Sequence, residues 1–202
     1  MPARRLPVSP PVLRRLGLSL AALALLTATA SAAAQDSFDR CLVTLQPQAT
    51  KQGISAAGFA RFTAGLTPDL SVLPLLDAQP EFTTPLWDYL AALVDSQRVD
   101  DGRARLVEHR DLLNRVSAQY GVDPATIVAV WGVESDYGRV FGKRPLLQSL
   151  ATLSCNGRRQ PFFRGELLPL LKLPDAGDLQ AEGPTGSWAG AFGHTQFMPS
   201  TY

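Results

Sequence analysis

Residues 123–138, DPATIVAVWGVESDYG, constrain the chain more than any other stretch, because a capped helix there carries a carboxylate among large apolar side chains. Asp123 reads as the N-cap and Pro124 as the first helical residue, where a missing N–H costs nothing. Positions i, i+3, i+4 and i+7 from Ile127 are Ile127, Val130, Trp131 and Glu134, so the spacing predicts that Glu134 shares their buried face. Burial and the partial negative charge of a helix C-terminus both disfavour an ionised carboxylate, which makes Glu134 a candidate proton donor. The competing reading is a structural Glu paired with Arg139, and spacing alone leaves both open.

The N-terminus reads as a leader rather than as fold. Arg4, Arg5, Arg14 and Arg15 precede an apolar run over 16–30 and the small residues of 31–34, the pattern of a secretory signal peptide cut after Ala32 or Ala34. The run is short for a membrane span, and no Cys stands at the cut. The expectation is a leader over 1–34 and a soluble, exported, periplasmic domain over 35–202. Without the leader, the 19 Lys and Arg fall to 15 against 18 Asp and Glu. No basic stripe remains, which removes nucleic acid as a partner. The last residues, MPSTY, look like the start of a further helix, so the chain is read as the N-terminal part of a domain cut off at 202. Made alone, residues 35–202 are expected to be poorly active and marginally stable.

Two Cys in an exported chain predict one disulfide, Cys41 to Cys155, with two buried free thiols as the alternative.

In order along the chain, residues 36–48 carry a helical stripe of Phe38, Leu42 and Leu45 that Pro47 and Gly53 close. Ser55 caps a second helix to Leu66. Residues 67–80 read as an irregular arm. Thr84 and Pro85 open an amphipathic helix with Leu86, Tyr89, Leu90 and Leu93 on one face. Residues 100–120 read as one long helix with a buried stripe of Leu106, Leu113, Val116 and Tyr120, ended by Gly121. Helices follow over 145–155 and 161–173, and no stretch alternates at period two for long. The fold class is mostly α-helical.

A polar loop leads into 186–200, GSWAGAFGHTQFMPS. Gly186, Gly190 and Gly193 allow close backbone approach to a ligand, while Ser187, Trp188, His194, Gln196 and Phe197 offer hydrogen bonds and a stacking face suited to a sugar. The alternative is a Gly-rich linker. Neither His109 nor His194 has a Cys or carboxylate at metal-ligand spacing, so no metal is expected. Neither a phosphate-binding Gly loop nor GxSxG is present, and no cofactor is called for.

Three segments, VWGVESDYGRVFGKRPLLQSLATLS, RRQPFFRGELL and GSWAGAFGHTQFMPSTY, together with SFDRCL and PLWDYLAALV, resemble the catalytic domain of the lytic murein transglycosylase B family from about Ser37 onward. The resemblance implies a helical, lysozyme-like domain with Glu134 as the single catalytic acid/base. It also implies that Ser187 and Gln196 contact sugar N-acetyl or hydroxyl groups, that Arg158 and Arg159 meet peptide or lactyl carboxylates, and that Tyr89 and Phe197 line the cleft. The implied partner is the peptidoglycan glycan strand.

The implied reaction is non-hydrolytic cleavage of the β-1,4 bond between N-acetylmuramic acid and N-acetylglucosamine. One Glu protonates the bridging oxygen and then deprotonates the muramyl C6 hydroxyl, leaving a 1,6-anhydro end, whereas ordinary glycosidases need two carboxylates. Asp136 points to another helix face and is a poor second carboxylate. The alternatives are a lysozyme-type hydrolase and a catalytically silent peptidoglycan-binding or scaffold protein.

Overall fold

Phe38, Leu42, Leu45 and Ala49 recur at helical spacing, and all four are buried, so one stripe of the first helix becomes a wall of the main core. The computed structural model describes residues 13–78, 82–175 and 184–202, with side chains from residue 32 onward and not at 174 and 175. The expected leader therefore lies partly outside the described residues. The remainder of it is the start of α1, Leu13–Lys51. No described helix is long and apolar enough to cross a membrane.

Pro47 lies inside α1 and does not end it, a correction to the sequence reading. Pro47 and Val43 are both exposed, so the carbonyl that loses its helical donor faces water. Ser55 caps α2, Ala56–Thr63, its hydroxyl accepting from Gly58 N at 2.9 Å. The arm that follows is two 3-10 turns, Leu70–Val72 and Pro74–Leu76, which sink Val72 and Leu76 into the core. Thr152 Oγ1 holds this arm by accepting from Asp69 N at 2.9 Å.

Next come α3, Leu86–Leu93, α4, Ser96–Glu108, and α5, Arg110–Tyr120. Three expectations change here. The apolar stripe of α3 is not buried: Leu86, Tyr89 and Leu90 are all exposed. The single helix expected over 100–120 breaks at His109, and α4 and α5 then pack separately on the following helix. Within the predicted stripe Leu113 is buried, whereas Tyr120 is exposed. Gly121 ends α5 in the left-handed conformation, as its position predicts.

The Asp123 carboxylate caps α6, Pro124–Ser135, accepting from Ala125 N and Thr126 N. Beyond it, β1, Arg144–Pro145, pairs antiparallel with β2, Thr185–Gly186. Between these strands α7, Leu146–Cys155, and α8, Gln160–Asp175, form a hairpin. Leu146, Leu150 and Leu153 of α7 meet Phe163, Leu167, Leu168, Leu170 and Leu171 of α8, and all are buried. The disulfide Cys41–Cys155 ties α1 to the end of α7, with Cα atoms 5.7 Å apart. The described residues are mostly helical, with one short two-stranded pairing.

Candidate active site

Glu134 stands in the last turn of α6, and its side chain is exposed. This corrects the expectation of burial. The buried face of α6 is instead Val128, Gly132 and Ser135, while Val130 is 43% exposed. A helix apolar on every side gives periodicity no face to choose, and the face that packs is the one with residues small enough for close approach. The burial argument for a retained proton on Glu134 thus lacks its basis here. The structural alternative fails as well, because Arg139 pairs with other groups. No hydrogen bond or ion pair to a described residue holds the Glu134 carboxylate.

The turn after Glu134 is tightly fixed. Asp136 and Tyr137 both have positive φ, 51° and 57°. Arg139 binds Asp136 through two 2.8 Å hydrogen bonds and reaches Asp101 on α4 at 2.5 Å. These bonds hold the carboxyls of Asp136 and Asp101 below the usual carboxylate range and push the Arg139 guanidinium up. Tyr137 is buried against α4, donating to Arg98 O at 2.6 Å, and burial raises its phenol. Its slot exists because Gly132 has no side chain: a Cβ there would lie 2.6 Å from Tyr137 Oη.

The Gly-rich segment docks on the same end of α6. The Trp131 indole N–H donates to His194 Nδ1 at 2.8 Å, and Ser135 Oγ donates to His194 O at 2.6 Å. Phe192 is buried in the main core, with Trp188 packed against it, so the segment spans from that core to α6. Its close backbone approach is to the protein itself, since a Cβ at Gly190 would meet Leu150 at 2.6 Å. Ser187 Oγ accepts from Ala191 N at 2.9 Å, and Gln196, at φ 49°, donates to Gly193 O at 2.9 Å. Phe197 is 45% exposed. Glu166 of α8, itself buried, accepts from Ser200 N at 2.9 Å and Ser200 Oγ at 2.8 Å, anchoring the far end of the segment.

Glu134 and the segment bearing Ser187, Gln196 and Phe197 thus share one end of α6. Arg158 and Arg159 sit at the α7 to α8 turn. Arg158 donates to Leu76 O and pairs with Asp77 at 2.7 Å, and Arg159 lies 4.5 Å from the Phe162 ring centroid. Tyr89 is on α3 and is exposed, outside the hydrogen bonds that gather the other groups at this end of α6. Sequence reasoning missed Tyr137, the His194 contact and Glu166. For Glu166 a signal existed, since it is a carboxylate among Phe163, Leu167 and Leu170, the argument that was applied to Glu134.

The chain is 39% identical over 142 residues to membrane-bound lytic murein transglycosylase B of Escherichia coli (strain K12), which covers 65% of this chain and 39% of that protein. SltB3 from Pseudomonas aeruginosa, solved in complex with NAG-NAM-pentapeptide, is 44% identical with a TM-score of 0.75, covering 81% of this chain and 44% of that one. The same protein in complex with NAG-anhNAM-pentapeptide gives a TM-score of 0.74. Escherichia coli Slt35 in complex with bulgecin A gives 32% identity and a TM-score of 0.69, covering 82% of this chain and 52% of that one. The chain spans about half the length of these relatives, or less. The transglycosylase SLT domain model matches residues 37–202, so on sequence and fold together the chain belongs to the transglycosylase SLT domain family.

Proposed function

We propose that this chain carries the catalytic residue of a periplasmic peptidoglycan lytic transglycosylase, with Glu134 as the single acid/base. The observation that carries the reading is an unpaired carboxylate in an exposed last helical turn, beside a docked segment of family-matching sequence. Glu134 protonates the oxygen between N-acetylmuramic acid and N-acetylglucosamine, the muramyl C1–O bond breaks and the N-acetylglucosamine unit leaves as its alcohol. The Glu134 carboxylate then takes the proton of the muramyl C6 hydroxyl as the C6 oxygen bonds to C1, closing the 1,6-anhydro ring. Asp136 is nearby in sequence, but Arg139 occupies both of its oxygens, which disfavours a second catalytic carboxylate. The complex of SltB3 with NAG-anhNAM-pentapeptide supports this reading.

Ser187 and Gln196 keep hydrogen-bonding capacity for sugar groups, and Phe197 supplies a stacking face. Arg158 and Arg159 are assigned to stem-peptide or lactyl carboxylates, and Tyr89 to the cleft wall. Residues 1–34 act as the export leader, and 35–202 belong to the catalytic domain.

Mass spectrometry of murein digested by the full gene product tests the reaction. Anhydro ends are expected, while reducing ends would mean hydrolysis and no cleavage would mean a binding protein. Glu134→Gln keeps shape but cannot deliver a proton, so turnover should vanish with thermal melting unchanged. Activity within about tenfold of wild type, less than acid/base removal normally costs, would end the assignment.

A further inference from the structure

His194 is attached to α6 twice, and both attachments flank Glu134. Its ring accepts from Trp131, three residues before the Glu, and its carbonyl accepts from Ser135, one residue after it. Ser135 Oγ in turn accepts from Gly138 N at 3.0 Å, so the carbonyl contact is built into the turn that ends the helix. The imidazole also packs edge-on against Phe141, with centroids 5.0 Å apart, and lies over Gly138, where a Cβ would come within 2.4 Å of Cε1. Two residues later the chain reaches Gln196. Gln196 and Phe197 thus follow directly on a residue whose ring and carbonyl are both tied to the Glu134 end of α6.

The indole N–H is a donor only, so the 2.8 Å contact requires a lone pair on Nδ1 and places the imidazole proton on Nε2. Imidazolium has no lone pair at Nδ1, and protonation turns this contact into two opposed donors. The charged or titratable groups on the elements packed here include Arg105, His109 and Tyr137, which pack on the Trp131 ring, Glu134 in the last turn of α6, and Asp136 and Arg139 on the turn after it.

We propose that His194 is a positioning residue: in its neutral form it holds the Gln196 and Phe197 segment against the Glu134 turn, and its protonation releases that segment. The functional half of this inference rests on the assignment of Glu134 as acid/base. The structural half does not.

The test uses the full gene product and two variants. His194→Asn keeps a side-chain acceptor but does not titrate, and His194→Phe keeps the ring but removes the acceptor. The first readout is the Trp131 indole N–H resonance, assigned by its loss in Trp131→Phe and followed over about pH 5 to 8, where imidazoles ordinarily change charge. In wild type it should move with pH, and in His194→Asn it should stay still. Movement that persists in His194→Asn would assign the titration to His109 and overturn the proposal, as would a wild-type resonance that does not move.

The second readout is murein cleavage. KM should rise on acidification in wild type and stay flat in His194→Asn. His194→Phe should raise KM by about tenfold, the size of one hydrogen bond lost, with a smaller change in kcat. An unchanged KM in a folded His194→Phe would overturn the positioning role. If His194→Phe fails to fold, the resonance and pH profile of His194→Asn decide. Should Glu134→Gln retain turnover, the acid/base reading falls while the indole titration still reports on His194 by itself.

Discussion

Two packed regions of very different density meet in this chain, and the candidate acid belongs to the thinner one. Around α1, α2, α7 and α8, eighteen apolar residues are buried in one cluster, enough to fix these elements without help from the site. Around α4, α5 and α6 the buried apolar cluster among the described residues is Leu113, Val128 and Tyr137, while Val99, Val107, Leu112 and Val133 are exposed. What replaces apolar burial there is directional: the Arg139 pairs with Asp136 and Asp101, the Tyr137 to Arg98 O bond, and the His194 attachments. Hydrophobic packing sets the platform, and polar geometry sets the angle at which Glu134 is offered. The Gly-rich segment joins the two, being rooted at Phe192 in the dense region and tied by His194 to the thin one.

The largest expected effect strikes the dense region. Replacing Cys41 and Cys155 by Ser removes a cross-link across 114 positions, which in the chain-entropy model costs up to about 4 to 5 kcal/mol. Denaturant unfolding of oxidised wild type and the double variant measures it. A loss near zero would mean that the dense core needs no covalent staple.

Next, Phe163→Ala should cost about 3 to 5 kcal/mol, whereas Leu113→Ala should lie nearer 2 kcal/mol. Phe163 is 1% exposed inside the dense cluster, while Leu113 has half-exposed neighbours, Leu106 and Ile127, that can relax into the space. Equal losses in urea midpoints at equal m-values would erase the contrast between the regions.

A smaller effect, confined to the thin region, is expected from Gly132→Ala. Its Cβ would lie 2.6 Å from Tyr137 Oη and 2.7 Å from Cζ, an overpacking that costs about 1 to 3 kcal/mol. Tyr137→Phe in the same chain should recover part of this, and a double-mutant cycle reads the coupling. Purely additive losses would mean that the ring does not sit in the Gly132 slot.

What could be read from the sequence follows the same division. The caps at Ser55 and Asp123 and the stop at Gly121 were legible because each is settled within three or four residues. The stripe of α1 and the helical spans of α7 and α8 were legible because each faces one large core. In the thin region local signals underdetermine the outcome. Nothing in residues 100–120 marks a break at His109, because the break depends on α4 and α5 each packing on α6. The apolar face of α3 gave no clue that it would be left uncovered among the described residues. The candidate residues were picked out by motif, Glu134 in one and the Gly-rich segment in another, and the structure brings that segment to the Glu134 end of α6. The contacts that fix it, from Trp131 to His194 and from Glu166 to Ser200, join residues 63 and 34 positions apart and leave no local pattern.

The smallest expected effect concerns acid, and it separates the regions without a change in the core. Asp136 and Asp101 have carboxyls held below their ordinary range chiefly by hydrogen bonds from Arg139. A group whose folded pKa is depressed contributes stability that is present above its unfolded pKa, about 3.9 for Asp, and is lost as pH falls through the folded value. Acidification below about pH 4 should therefore loosen the turn after α6 while the α7 to α8 hairpin stays closed. Amide exchange reads this locally: the N–H groups of Gly138 and Val140, which donate to Ser135 O at 3.1 and 2.9 Å, should lose protection before those of Leu150 and Leu153. Both carboxylates are solvent-accessible, so screening by salt should shrink the effect. In Asp136→Asn the turn should already be looser at neutral pH and respond less to acid. Protection that falls together across both regions would mean that the chain unfolds as one unit, and that the polar turn has no separate stability to lose.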